Sequence, residues 1–288
     1  MAGSYQIRTM TRPEVDLALD WAAIEGWNPG LHDADCFYAA DPKGFLVGLL
    51  DDQPIAMISA VKYGESFGFI GFYMVKPEYR GQGYGIQIWN AALARLVGRT
   101  IGLDGVVDQQ SNYRQSGFRL AHQNVRYQGS SGAQAHLEAR AEPDAEMLEL
   151  SKVPFAELCT YDQGFFSACR QQFLQHWIAQ PQAKALAICQ NQRLAGYGVI
   201  RPCRSGYKLG PLFADSPALA EQLFLTLQAQ VPAAEPVFLD IPAVNAAAVD
   251  LVQRHQMVVA FETARMYSGG SPDLPLDQIF GITTFELG

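Results

Sequence analysis

Paired cysteines are missing from this 288-residue chain: its five cysteines (Cys36, Cys159, Cys169, Cys189 and Cys203) are odd in number, widely spaced and contain no C-x-x-C. A disulfide framework and a zinc site are therefore not expected, and the five read as reduced core thiols. The histidines (His32, His122, His136, His176 and His255) form no H-x-x-x-H or H-E-x-x-H arrangement, so no metal is expected. No apolar stretch approaches the roughly 18 to 20 residues of a membrane span, and the first eight residues lack the charged-then-apolar layout of a secretion signal. The expectation is a soluble cytoplasmic protein without a membrane partner. Positive charge is scarce as well, with 21 Lys and Arg against 29 Asp and Glu and a net charge of −8. Residues 1–128 carry 11 against 13, net −2, and residues 129–288 carry 10 against 16, net −6. A nucleic-acid partner would need a basic patch, and none is present.

What is present is 49 % hydrophobic and 17 % charged, the balance of an ordinary packed protein. At about 150 residues per domain the length favours two domains. In the first half Gln6–Met10 reads as a strand, and Thr11 with Glu14 three residues on reads as a capping box opening a helix to about Glu25. A short helix is predicted over Asp33–Ala40. Strands follow over Phe45–Leu50, Ile55–Lys62 and Phe67–Val75, separated by hairpin-type turns and so antiparallel. Apolar spacing through Ile86, Trp89 and Leu93 predicts an amphipathic helix over Tyr84–Val97. A strand at Leu103–Val107, a turn or short helix at Ser111–Ser116 and a strand at Phe118–Tyr127 close this half. After the small, polar stretch from Gln128 to Ala135 the same order of elements returns, which indicates an internal duplication. In the second half a helix is expected over Phe166–Ala179 and a last strand over Val258–Met266.

The most informative segment, Val75-Lys-Pro-Glu-Tyr-Arg-Gly-Gln-Gly-Tyr-Gly85, joins a strand to the amphipathic helix. Its glycines allow positive φ and let backbone N–H groups converge. With the helix N-terminus they can cradle a diphosphate, because the first helical N–H groups are unpaired and the dipole favours anions. No Gly-Lys-Ser/Thr follows, which excludes a P-loop, and Ile86 occupies the third glycine site of a dinucleotide fingerprint. Asp104 stands at a ribose-contact distance along the chain but lies inside a strand.

The R-x-x-G-x-G pattern at Arg80, Gly83 and Gly85, followed by Asn112-Tyr113-Arg-Gln-Ser-Gly117-Phe118, resembles the acetyl-CoA and Y-x-x-x-G-F motifs of the GCN5-related N-acetyltransferases (GNATs). The whole chain is similar to a bacterial two-domain branch of that family, through Glu25-Gly-Trp-Asn-Pro-Gly30, residues 206–215 and residues 281–288. The resemblance implies an α+β fold of two tandem GNAT-like domains, each a mixed, mostly antiparallel sheet flanked by helices. Residues 1–128 would be the catalytic domain, 129–139 a linker and 140–288 a degenerate domain shaping the acceptor site. It implies acetyl-CoA as co-substrate and the amine of a small molecule or amino-acid-like acceptor as partner. Met74 and Val75 would pair with the pantetheine arm where two strands splay, with Arg80, Gly81, Gln82, Gly83, Tyr84, Gly85 and Asn112 in the cofactor site. Tyr113 would protonate the departing thiolate, and the N–H of Val75 would meet the developing oxyanion. In the second half Val252 stands at the tyrosine position and no arginine–glycine loop follows the strand ending near Phe213.

No carboxylate lies between Ser66 and Val75, where relatives carry a catalytic glutamate. The base is then another group, a water chain, or an amine already neutral. His32, Asp33 and Asp35 are the candidates, with solvated charges or helix caps as the alternative reading. Trp27 and Asn28 read either as a helix stop or as the rim of the acceptor pocket. Glu25, Asp33 and Asp35 together would form an acidic rim favouring cationic amines. Arg201, Arg204, Tyr207, Asp240 and Asn245 read as ligand contacts or as caps and inter-domain bonds. The terminal Phe285-Glu-Leu-Gly288 reads as a loose tail or as a plug near the cleft. The rival from another class is a non-catalytic acyl-CoA-binding sensor.

Overall fold

A computed structural model describes residues 4–132, 142 and 144–288. The first half runs β1 (Tyr5–Thr9), α1 (Arg12–Ile24), α2 (Asp33–Ala40), β2 (Phe45–Leu50), β3 (Gln53–Tyr63), β4 (Phe67–Val75), α3 (Tyr84–Arg95), β5 (Thr100–Val106), α4 (Gln110–Gln115) and β6 (Arg119–Ser130). The second runs β7 (Ala145–Glu149), α5 (Phe155–Gln163), α6 (Gln171–Trp177), β8 (Lys184–Gln190), β9 (Arg193–Pro202), β10 (Tyr207–Ala214), α7 (Pro217–Gln228), β11 (Pro236–Pro242), α8 (Ala246–Arg254), β12 (Val258–Ser268) and β13 (Ile279–Gly281).

Local chemistry accounts for most of these elements. The capping box of Thr11 and Glu14 forms at the start of α1. Asp51 and Asp52 both take positive φ, as do Asn191 and Gln192 at the same place in the second half. Paired positive φ is the geometry that lets a two-residue turn match strand twist, and both turns join antiparallel strands. One helix departs from the pattern. Residues 166–170 are not helical, because Phe166 is buried and the Arg170 guanidinium lies 4.3 Å over its ring while binding both Asp162 oxygens at 2.7 and 2.8 Å. Tertiary contact overrides helix propensity there, and α6 begins at Gln171.

The sheet order is β1-β2-β3-β4-β5-β12-β6-β11-β10-β9-β8-β7, with β13 added to β10. Each half is thus completed by the other's last long strand: β12 lies against β5, and β6 against β11. The expected boundary at residue 128 falls inside β6, and the expected linker lies outside the described residues from 133 to 139. Matching ion pairs bind the exchanged strands. Asp104 of β5 faces Arg265 of β12 at 2.7 and 3.0 Å, and Asp240 of β11 faces Arg126 of β6 at 2.6 and 2.7 Å. On one side of the sheet a single apolar core joins the halves, with Phe37 of α2 stacked 6.2 Å from Trp177 of α6. The other side carries two cores, under α3 and under α7 and α8.

The C-terminal residues are built in. After β13 the chain crosses from β10 to β4, where the backbone of Glu286 lies so close to Gly71 that any Cβ at position 71 would run into the Glu286 carbonyl. The Thr284 hydroxyl accepts from the N–H groups of Glu286 and Leu287 at 3.1 and 2.9 Å. The Tyr63 hydroxyl donates to the Leu287 carbonyl at 3.2 Å, and Arg170 to the Gly288 oxygen at 3.3 Å. Of the two readings of this segment, the plug is the one the fold adopts.

Candidate active site

Strands β4 and β5 pair in parallel only across Phe67–Ile70 and Thr100–Leu103. Beyond Ile70, β4 bulges: Gly71 pairs with Ser59, the next pair is Met74 with Met57, and Phe72 between them takes φ 49°. A bulge bends its strand and ends regular pairing, so the β5-facing edge from Gly71 to Val75 is left without a sheet partner. A cavity of about 590 Å³ opens along that edge.

One end of the cavity is the glycine loop. Gly81 and Gly83 have φ of +75° and +84°, and a Cβ at either would meet nothing within 4 Å, so this face of the loop is open to a ligand. Gly83 is the N-cap of the 12-residue α3, which has no side-chain cap. Its first N–H groups are free to bind an anion. Among the described residues the second half offers no equivalent. There Ser216 caps α7 by accepting from Leu219, and β13 occupies the edge of β10 where β10 and β11 diverge.

The sequence-predicted residues separate into two groups. Met74, Val75, Arg80, Gly81, Gly83, Gly85, Trp27 and Tyr113 line the cavity. Arg80 acts as a brace, since its Nε donates to the Val75 carbonyl at 2.8 Å and its other nitrogen meets Glu25 at 2.7 Å. Gln82 folds back to the Glu78 carbonyl, the Tyr84 ring packs at a tilt 4.8 Å from that of Tyr5, and Asn112 donates to Gln109. These three do not line the cavity. Tyr113 is 9 % exposed and its ring sits 5.4 Å from Trp89. Burial, with Tyr73 adding, holds its hydroxyl well above the usual tyrosine range. A hydroxyl kept protonated in this way has a proton to give and does not act as a base.

The expected acceptor-side and base residues are mostly corrected. Asp33 is buried at 1 % exposure, accepting from the Gly30 N–H at 2.8 Å and from Arg201 at 2.7 and 3.0 Å. Burial pushes its carboxyl up, but Arg201 more than offsets this and holds it below its usual value. Asn28 bonds Ser205 N–H and carbonyl, both at 2.9 Å, and His32 stands at the N-cap position of α2 without a side-chain capping bond. None of Asn28, His32, Asp33 or Asp35 lines the cavity. The acidic rim is neutralised too: Glu25 meets Arg80, Asp33 meets Arg201, and Asp35 meets Arg12. Arg201, Arg204, Asp240 and Asn245 are likewise structural, through Asp33, Asp20, Arg126 and the α8 N-cap.

Sequence reasoning missed Glu286, which lines the cavity with Phe285 although it is 3 % exposed. Both its carboxylate oxygens lack a hydrogen-bond partner among the described residues. The signal was Gly71 in the bulky run Phe67–Val75: a strand position emptied of its side chain so that another segment can lie on it.

Comparison with known sequences and folds gives a consistent picture. The "Acetyltransferase (GNAT) family" sequence model matches residues 11–118 and the "Acetyltransferase (GNAT) domain" model residues 158–281. The chain is 30 % identical over 275 residues to the holothin acyltransferase of Pseudoalteromonas sp. (strain SANK 73390), covering 96 % of this chain and 92 % of that one. A solved Pyrococcus horikoshii protein, described as a candidate acetyltransferase, superposes with a TM-score of 0.81 at 23 % identity, over 99 % of this chain and 96 % of that one. A tandem GNAT protein from the clavulanic acid biosynthesis pathway superposes with a TM-score of 0.64 at 12 % identity, over 94 % of this chain and all of that one.

Proposed function

We propose that this chain, which belongs to the GCN5-related N-acetyltransferase family and is an acyltransferase, moves an acetyl group from acetyl-CoA to the amine of a small acceptor inside the cytoplasm. One observation carries the reading: the open glycine loop, the uncapped α3 N-terminus, the unpaired edge of β4 and Tyr113 all face one cavity. The relative named for acylating holothin supports acyl transfer as the reaction class. The reading gives the first half (residues 1–128) the acyl-CoA site, and the second (140–288) the acceptor wall through Phe261, Thr263, Phe285 and Glu286.

In this mechanism the loop amides at Gly81–Gly85 hold the diphosphate and the β4 edge at Met74 and Val75 aligns the pantetheine. The amine nitrogen attacks the thioester carbon, the C–N bond forms and the C–S bond breaks. The Val75 N–H faces the developing oxyanion. Tyr113 gives its phenolic proton to the departing sulfur and recovers one from the acylated nitrogen through solvent. Much of the acceleration comes from holding both reactants in one oriented complex. Thiol release from acetyl-CoA, followed over a panel of small amines, amino acids, peptides and polyamines, checks the assignment. Turnover with at least one amine is the expected result, and release with none of them overturns acetyl transfer to amines.

A further inference from the structure

The first half holds no carboxylate on its central strand, and the tail lays one beside that strand instead. Glu286 sits at the bulge of β4 because Gly71 has no side chain to exclude it. It is fixed in place by the Thr284 turn and by the hydrogen bonds from Tyr63 to Leu287 and Arg170 to Gly288. A buried carboxylate normally recruits partners. This one has none for either oxygen among the described residues and borders the cavity that Tyr113 also lines. We propose that Glu286 receives the acceptor amine and takes its proton, and that the acceptor is a primary amine on an apolar or aromatic body.

The surroundings favour that role. Arg126, Arg201 and Lys208 all feel the charge of Glu286. Asp240 and Asp33 already pair with the two arginines, and Lys208, buried on β10 across from Arg201, is a further cation of the cluster. An ammonium brought to Glu286 shares its surroundings with Arg126, Arg201 and Lys208, and nearby positive charge favours the neutral amine. The proton passes to Glu286, leaving a neutral nucleophile, and returns to solvent after transfer. The other carboxylates on the cavity wall are occupied, Glu25 by Arg80 and Asp104 by Arg265 and Asn124. The cavity that Glu286 borders is also lined by the aromatic side chains Trp27, Phe72, Tyr73, Phe261 and Phe285. A polycation would find no second carboxylate free there, whereas an apolar amine finds a matching surface.

The inference rests on the acetyl-transfer reading, and Glu286→Gln separates the two because it keeps the shape of the side chain and the tail. With 2-phenylethylamine as acceptor, the full-length variant should lose about 100-fold in kcat, with acetyl-CoA affinity by calorimetry unchanged within about twofold. Spermidine should be a poorer acceptor than 2-phenylethylamine for the wild type. A variant within about threefold of wild type in kcat, a variant that no longer binds acetyl-CoA, or a preference for spermidine overturns the proposal. If the wild type releases no thiol with any amine, acetyl transfer itself has failed. Glu286 is then tested by tryptophan fluorescence, titrating 2-phenylethylamine into CoA-saturated protein. Binding about tenfold weaker in Glu286→Gln, roughly 1.4 kcal/mol, supports the amine contact, and equal binding refutes it.

Discussion

Tyr113→Phe should lower kcat by about 10² to 10⁴-fold, the usual range for a general acid, while acetyl-CoA affinity changes by less than about twofold. In the proposed mechanism the hydroxyl acts on the sulfur, whereas the loop at Gly81–Gly85 holds the diphosphate. The ring's packing against Trp89 and its burial survive the change, so folding should be unaffected. Because burial holds this hydroxyl above its ordinary value, wild-type kcat should show no loss of the acid near pH ~10, where an unperturbed tyrosine deprotonates. A variant that stays within a factor of about two of wild type removes Tyr113 from the mechanism.

The second large effect is on stability. Asp33→Ala should destabilise the protein by about 3 to 5 kcal/mol, since it strands a buried guanidinium. Arg201 is fully buried, lies 4.1 Å over the Trp177 ring and pairs with Asp33 across the two halves. Replacing both partners, Asp33→Leu with Arg201→Met, should recover most of that loss, because the desolvation penalty disappears with the pair. Denaturant midpoints of the wild type, the two single variants and the double variant measure the coupling. A single-variant loss below about 1 kcal/mol would mean that water reaches Arg201 and that the seam between the halves is not dry.

Much of the first half was legible because its signals are local. The Thr11–Glu14 box, the Asp51-Asp52 turn and the apolar spacing of the Tyr84 helix each need only a few neighbouring residues. The motif from Arg80 to Gly85 and the spacing to Tyr113 located the cavity for the same reason. Strand exchange could not be read, because β6 and β12 are both ordinary amphipathic strands whose partners are chosen by tertiary fit. The matched Asp104–Arg265 and Asp240–Arg126 pairs lie 161 and 114 residues apart and become visible only when paired. Asp33 and Asp35 looked like site residues because charge on a helix start carries no mark of its partner; both prove to be held by arginines. Glu286 was hidden for the opposite reason. A terminal segment has no periodic pattern, and only the fold shows that Gly71 makes room for it.

The central claim is that the chain has one acyl-CoA site, built by the glycine loop of the first half and absent from the second, where Ser216 caps the helix and β13 fills the strand edge. Calorimetric titration of acetyl-CoA into the full-length protein tests it most directly, with Gly83→Val run alongside. The account predicts one acetyl-CoA per chain for the wild type. For the variant it predicts no measurable binding, because a branched side chain at φ +84° distorts the loop and projects into the open face of the cradle. Two sites per chain, or a Gly83→Val variant that binds as the wild type does, would contradict it.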